Sequence, residues 1–163
     1  NSGATAPEGV AAGGGTTIKR HHFTMATRTA GGGTAADQFT ITSAFIPTDP
    51  TVNDLWVECV VPCDSAANDN SGYGLRFSKS GGSDYDIFGK GVQFVGGIAT
   101  GKQTLQSTFF NIPTGTIPAG TYTINLRTEA INSQASYYNP NSTDDAKYVT
   151  QTQTELMITE WKN

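Results

Sequence analysis

Apolar residues recur at every second position in short runs along this chain, and the clearest run is 122–127. There Tyr122, Ile124 and Leu126 alternate with Thr123, Asn125 and Arg127, the period of a half-buried strand, and Pro118 with Gly120 supplies the turn before it. Residues 72–78 repeat the pattern, with Tyr73, Leu75 and Phe77 set against Gly74 and Arg76. Residues 17–25 carry Ile18, Phe23 and Met25 among polar and basic neighbours. After the turn at Gly31-Gly32-Gly33, residues 38–46 place Phe39, Ile41 and then Ala44-Phe45-Ile46. Residues 55–61 (L-W-V-E-C-V-V) are almost continuously apolar and predict a central strand covered on both sides. Further strands are predicted over 87–96 and 104–112, with a long closing one over 146–161 in which Leu156, Ile158 and Glu160 alternate with Glu155, Met157 and Thr159. Loops are predicted over 47–53, 64–71, 80–84, 96–101 and 138–145.

About eight strands at near-regular spacing, with no stripe of helical period, predict an all-β antiparallel jelly roll or β-sandwich with almost no helix. The length of 163 residues suits one domain. Residues 1–15 are mostly Gly, Ala, Ser, Thr and Pro with a single Val and a single charge, too little apolar surface to fold alone, so they predict an arm or linker ahead of a domain at 16–163. Val10 and Ile18 are the residues on which such an arm would take hold of a neighbour.

Composition narrows the function classes. Charged residues are 15% of the chain, the net charge is −4 and the sequence pI is near 5.0, which argues against a phosphate-binding face and hence against nucleic acid as a partner. No apolar run approaches a membrane span, so membrane insertion is not expected, and the first residues have no signal-peptide pattern. The two cysteines, Cys59 and Cys63, are separated by roughly 13 Å if the chain between them is extended, beyond disulfide reach. They read as reduced thiols, a pairing that suits an intracellular assembly environment.

Candidate chemistry fails on geometry. His21 and His22 are the only histidines and are adjacent on a predicted strand, so they point to opposite faces and share no metal. No G-x-S-x-G elbow presents a serine to either of them. Gly96 to Gln103 matches the spacing of a phosphate-binding loop up to Lys102, but Gln103 stands where a magnesium-holding hydroxyl is required, and the residues that follow predict a strand rather than a helix. The loops Asn68-Asp69-Asn70-Ser71-Gly72 and Asn141-Ser142-Thr143-Asp144-Asp145 are rich in oxygen ligands but lack calcium-loop spacing. No catalytic residue, cofactor or metal is therefore expected, and the chain reads as a non-enzyme. Tyr137, Tyr138 and Asn141 fall around a predicted loop, where aromatic and amide groups together suit a sugar ring or a protein partner.

The series Phe39–Thr48 (F-T-I-T-S-A-F-I-P-T), L-W-V-E-C-V-V, G-Y-G-L-R-F-S, I-P-A-G-T-Y-T-I-N-L-R and the closing S-T-D-D-A-K-Y to L-M-I-T-E-W resembles a β-rich module of phage fibre ends and other virion surface proteins. The trimeric jelly roll of that module is similar to the head domains of the tumour-necrosis-factor and complement proteins. The resemblance implies a homotrimer, with the closing strand central in the inner sheet near the trimer axis and Leu156, Ile158 and Trp161 at the interface. It further implies a place on the virion surface after assembly in the host cytoplasm, among other virion proteins. Two roles follow, the receptor-binding tip of a fibre or spike that meets a host surface glycan or protein, and a capsid decoration or cement protein whose arm threads along the shell. A carbohydrate-binding module is a third reading.

Overall fold

A computed structural model describes residues 16–30, 36–65, 72–87, 102–129, 135–139 and 153–162. Their regular structure is entirely strand: β1 (Thr16–Met25), β2 (Thr29–Ala30), β3 (Ala36–Phe45), β4 (Asn53–Ser65), β5 (Gly72–Lys79), β6 (Asp84–Ile87), β7 (Lys102–Ile112), β8 (Tyr122–Glu129), β9 (Ala135–Tyr138) and β10 (Thr154–Lys162). They form two antiparallel sheets. One has four strands in the order β3-β8-β5-β6; the other has six, in the order β1-β10-β4-β9-β2 with β7 also paired to β4.

Strand β4 organises the larger sheet. From Leu55 to Ser65 it pairs with β7 along one edge, while the other edge changes partner, running with β10 from Asn53 to Val60 and with β9 from Cys63 to Ser65. Pro62 sits in the gap between those two partners. Its carbonyl accepts the Asn139 N–H at 3.0 Å, so its ring nitrogen, which has no hydrogen to give, faces the same interrupted edge, where no ladder bond is lost. The larger sheet is therefore β7, β4, β10 and β1 side by side, with β9 and β2 prolonging β10 and β1.

The core lies between the sheets and follows the period of two. Leu55, Val57, Cys59 and Val61 of β4 and Leu156 and Ile158 of β10 are buried against Phe39, Ile41 and Phe45 of β3, Leu75 and Phe77 of β5 and Tyr122, Ile124 and Leu126 of β8. Phe45 is the hub. Its ring meets Phe77 at 5.9 Å and Tyr122 at 6.3 Å in its own sheet, and His21 at 5.0 Å and Phe23 at 6.3 Å on β1 of the other. The Tyr122 hydroxyl donates to the Pro118 carbonyl of the preceding turn, and burial, with Tyr85 nearby, pushes its pKa up to about 12.

The connections divide between the two ends. At one end lie Thr16, which is the cross-strand partner of Lys162, and the turns 46–52, 80–83 and 113–121. Those turns are held by backbone bonds such as Asn53 N to Asp49 O at 3.0 Å and Gly115 N to Pro50 O at 2.8 Å. At the opposite end lie the strand termini that flank residues 31–35, 66–71, 88–101, 130–134 and 140–152.

Several sequence-based expectations change here. Strand β4 is central as expected but is covered on one face only, because Trp56, Glu58 and Val60 alternate outward. Tyr138, expected to open a loop, ends β9. Ser65 still belongs to β4, and Asp84, expected in a turn, begins β6. Of the strand expected over 87–96, only Ile87 is described, as the last residue of β6. The closing strand starts at Thr154; residues 146–152 lie outside the described residues, as do most of the oxygen-rich and phosphate-loop-like segments.

Candidate functional site

The outward faces of the two sheets differ in kind. On the four-stranded sheet, Thr40 bonds Asn125 at 2.7 Å, and Arg76 and Arg127 share the carboxylates of Asp37, Asp84 and Asp86. Arg76 Nε donates to Asp86 at 2.7 Å and Arg127 reaches Asp37 at 3.0 Å, so the network ties β3, β8, β5 and β6 together. The Arg76 bond holds the Asp86 carboxyl below its ordinary 3.8 against the opposing effect of burial. The same bond raises the Arg76 pKa. This face is polar and paired.

The outward face of the six-stranded sheet is laid out by register. Arg20, Thr159, Trp56 and Asn111 form one cross-strand row, His22, Met157, Glu58 and Phe109 the next, and Thr24, Glu155, Val60 and Ser107 a third. Trp56 is 39% exposed and Phe109 54%. The Trp56 indole N–H donates to Glu58 at 3.1 Å, and His22 lies 3.7 Å from Glu155. His22, Glu58, Val60, Glu155 and Met157 line a shallow depression in the middle of the face.

Glu160, Asn139 and Thr154 are buried polar groups with hydrogen-bond partners. Glu160 is fully buried; it lies 2.6 Å from His21 Nε2 and accepts the Thr48 N–H at 2.9 Å, joining β1, β10 and the turn after β3. Asn139 is buried in a left-handed conformation, φ 50°. Its side chain donates to the Thr27 carbonyl at 3.2 Å and accepts the Thr154 hydroxyl at 2.8 Å. The Cys59 thiol is buried, and desolvation pushes it up to about 12. Among the described residues no three His, Cys, Asp or Glu side chains come together as a metal set.

His21 and His22 point to opposite faces, as their adjacency predicts: His21 packs between the sheets and His22 faces out. Leu156 and Ile158, expected at a trimer interface, are instead consumed by this chain's own core, and it is their neighbours Glu155, Met157 and Trp161 that are left partly exposed. Tyr138, expected to offer a ring to a ligand, is buried with its ring 5.9 Å from Phe39, so no sugar can stack on it. Tyr137 pairs through its backbone with Ala30 and Asp64; Asn141 and Val10 lie outside the described residues. Ile18 stands at a bulge of β1, 41% exposed. The outward residues of the six-stranded sheet were missed, although a signal for them existed. Strict alternation through L-W-V-E-C-V-V puts Trp56 on the face of Glu58, and a strand with a carboxylate in its middle has one side in water. Glu160, in phase with Leu156 and Ile158, marked itself as a buried carboxylate in the same way.

No protein-family model matches the chain, and a search of curated proteins finds no match. Among solved structures, the chain is similar to that of T=1 particles derived from infectious bursal virus, with a TM-score of 0.53 and 16% identity over 88% of this chain and 32% of that one. The fold is shared with a chain of a virus particle. A similar match is the infectious bursal disease virus VP2 subviral particle, with a TM-score of 0.49 and 15% identity over 88% of this chain and 33% of that chain. This chain thus spans about a third of the length of those it matches. The likeness bears on fold class: an all-β jelly-roll sandwich. The sequence resemblance pointed to phage surface modules, whereas these matches come from infectious bursal disease virus.

Proposed function

We propose that this chain is a structural protein of a virion surface, a homotrimer whose loop-bearing end meets a host surface glycan or protein. The observation that carries the reading is the division of the two ends. Three hydrogen-bonded turns gather where the first and last described strands meet, and the termini flanking five connections, among them the two longest, residues 88–101 and 140–152, gather at the other end. A rigid sandwich that presents many connections from one end is a common way to build a recognition surface, since loops vary without disturbing the sheets. The shared fold with a virus-particle chain and the phage-module resemblance support the virion setting.

Capsid decoration is the second reading, and one observation favours it. Ile46 and Val52, 55% and 52% exposed, stand in the hydrogen-bonded turn after β3 at the end where the chain enters, a placement that suits a seat on another protein. The two readings separate in a binding experiment with the whole chain, in which adsorption to susceptible cells and to empty capsids is measured side by side. Replacing residues 140–152 by a Gly/Ser segment of equal length is expected to abolish adsorption to cells and leave the trimer intact. Tight binding to capsids with none to cells, unchanged by that replacement, would replace attachment by decoration.

A further inference from the structure

A sheet face that stays in water is built like that of the four-stranded sheet, with hydroxyls, an amide and paired charges. The six-stranded sheet is not finished that way. Trp56 on β4 and Phe109 on the edge strand β7 stand on neighbouring strands, with Met157 of β10 on the other side of β4, a concentration of large apolar side chains typical of protein interfaces. Its charges are also unbalanced by position. Arg20 lies in the row of Trp56 on the edge strand β1, and Glu58 lies on β4 beside Phe109; among the described residues no carboxylate pairs with Arg20 and no cation pairs with Glu58. Each copy thus carries on one surface a basic rim at β1, an acidic group on β4 and two exposed rings on β4 and β7. A neighbour that brings its β1 rim over β4 pairs its Arg20 with this Glu58 and covers Trp56 and Phe109, while its own face is left to seat the next copy, so the contact runs head to tail and can close as a ring of three.

We infer that the outward face of the six-stranded sheet is the seat of a second copy of this chain, with Trp56 and Phe109 as its dry centre and Arg20 of one copy pairing Glu58 of the next. The inference rests on the homotrimer proposed above and gives it a surface. The edge position of β1 makes the contact reachable without unfolding a strand, and the Glu58 carboxylate, held by the Trp56 indole, is oriented before the partner arrives.

The test is the mass of the whole chain in solution by sedimentation equilibrium, with circular dichroism to show that each variant is folded. Wild type is expected to be a trimer. Phe109→Asp is expected to sediment as a folded monomer, and Phe109→Ser, which adds no charge, to raise the dissociation constant about tenfold or more. Arg20→Glu is expected to weaken association by about tenfold, and the double exchange Arg20→Glu with Glu58→Arg to restore it, a rescue that a loss of folding would not give. A trimer indifferent to all four variants overturns this face and leaves the trimer standing. A wild-type chain that stays monomeric at its highest soluble concentration overturns the trimer, and the second copy with it.

Discussion

Asn139 shows how much one side chain can hold in a fold of this kind. The chain there takes a left-handed turn at the end of β9, a conformation open to Asn at low cost, and the amide bonds Thr27, Thr154 and, through its backbone, Pro62. Three strands and the joint between β1 and β2 therefore meet on one buried residue. Asn139→Ala keeps the backbone strain and strands the Thr154 hydroxyl, so a loss of about 2–3 kcal/mol is expected in urea unfolding. Asn139→Gly, which relieves the conformation but not the lost bonds, is expected to lose less. The sequence carried no sign of this role. An Asn-Pro-Asn run reads as an exposed loop, because turn propensity is local and the bonds that hold Asn139 come from Thr154, Pro62 and Thr27, all outside its own turn.

Among the strands, those with an alternating pattern were legible: β3, β5 and β8 lie close to where the apolar period puts them, since one face of each meets the core. The short strands β2 and β9 were not, because a strand of two or four residues is formed by the partner it finds and not by its own pattern. The same dependence on partners governs the outer face of the four-stranded sheet. There the Asp86 carboxyl, held below 3.8 by Arg76, contributes stability that is present at neutral pH and is lost as pH falls through its native value. Asp86 and Asp37, the two carboxylates that Arg76 meets here, are both 37% exposed, so solvent screening limits Arg76→Ala to a loss of about 1 kcal/mol. The expected signature is a difference between wild type and variant that is measurable in urea at neutral pH and vanishes at pH about 2. A difference that survives at the acid end would assign the loss to packing of the Arg76 stem.

Across the whole molecule, Phe45 is where the two sheets become one cooperative body. It touches rings from β1, β5 and β8, so Phe45→Ala is expected to cost about 3–5 kcal/mol and to lower the stability of both sheets in a single transition. Tryptophan fluorescence, which reports the six-stranded sheet through Trp56, and far-ultraviolet circular dichroism should then give coincident unfolding curves. Separate curves would mean that the sheets unfold independently. Fold class was open to sequence reasoning because it depends on the period of two repeated many times. What covers Leu156 and Ile158 was harder to see: they look the same to a periodic reading whether that layer is a neighbouring subunit or, as here, the opposite sheet.

Thr16 and Lys162 are cross-strand partners, so the described body begins and ends within about 5 Å. A unit closed in that way can be spliced into a surface loop of another protein as easily as it can be carried at a terminus, since its host has only to open a gap one strand spacing wide. It can then project as a knob from a larger coat without altering the course of the chain that bears it.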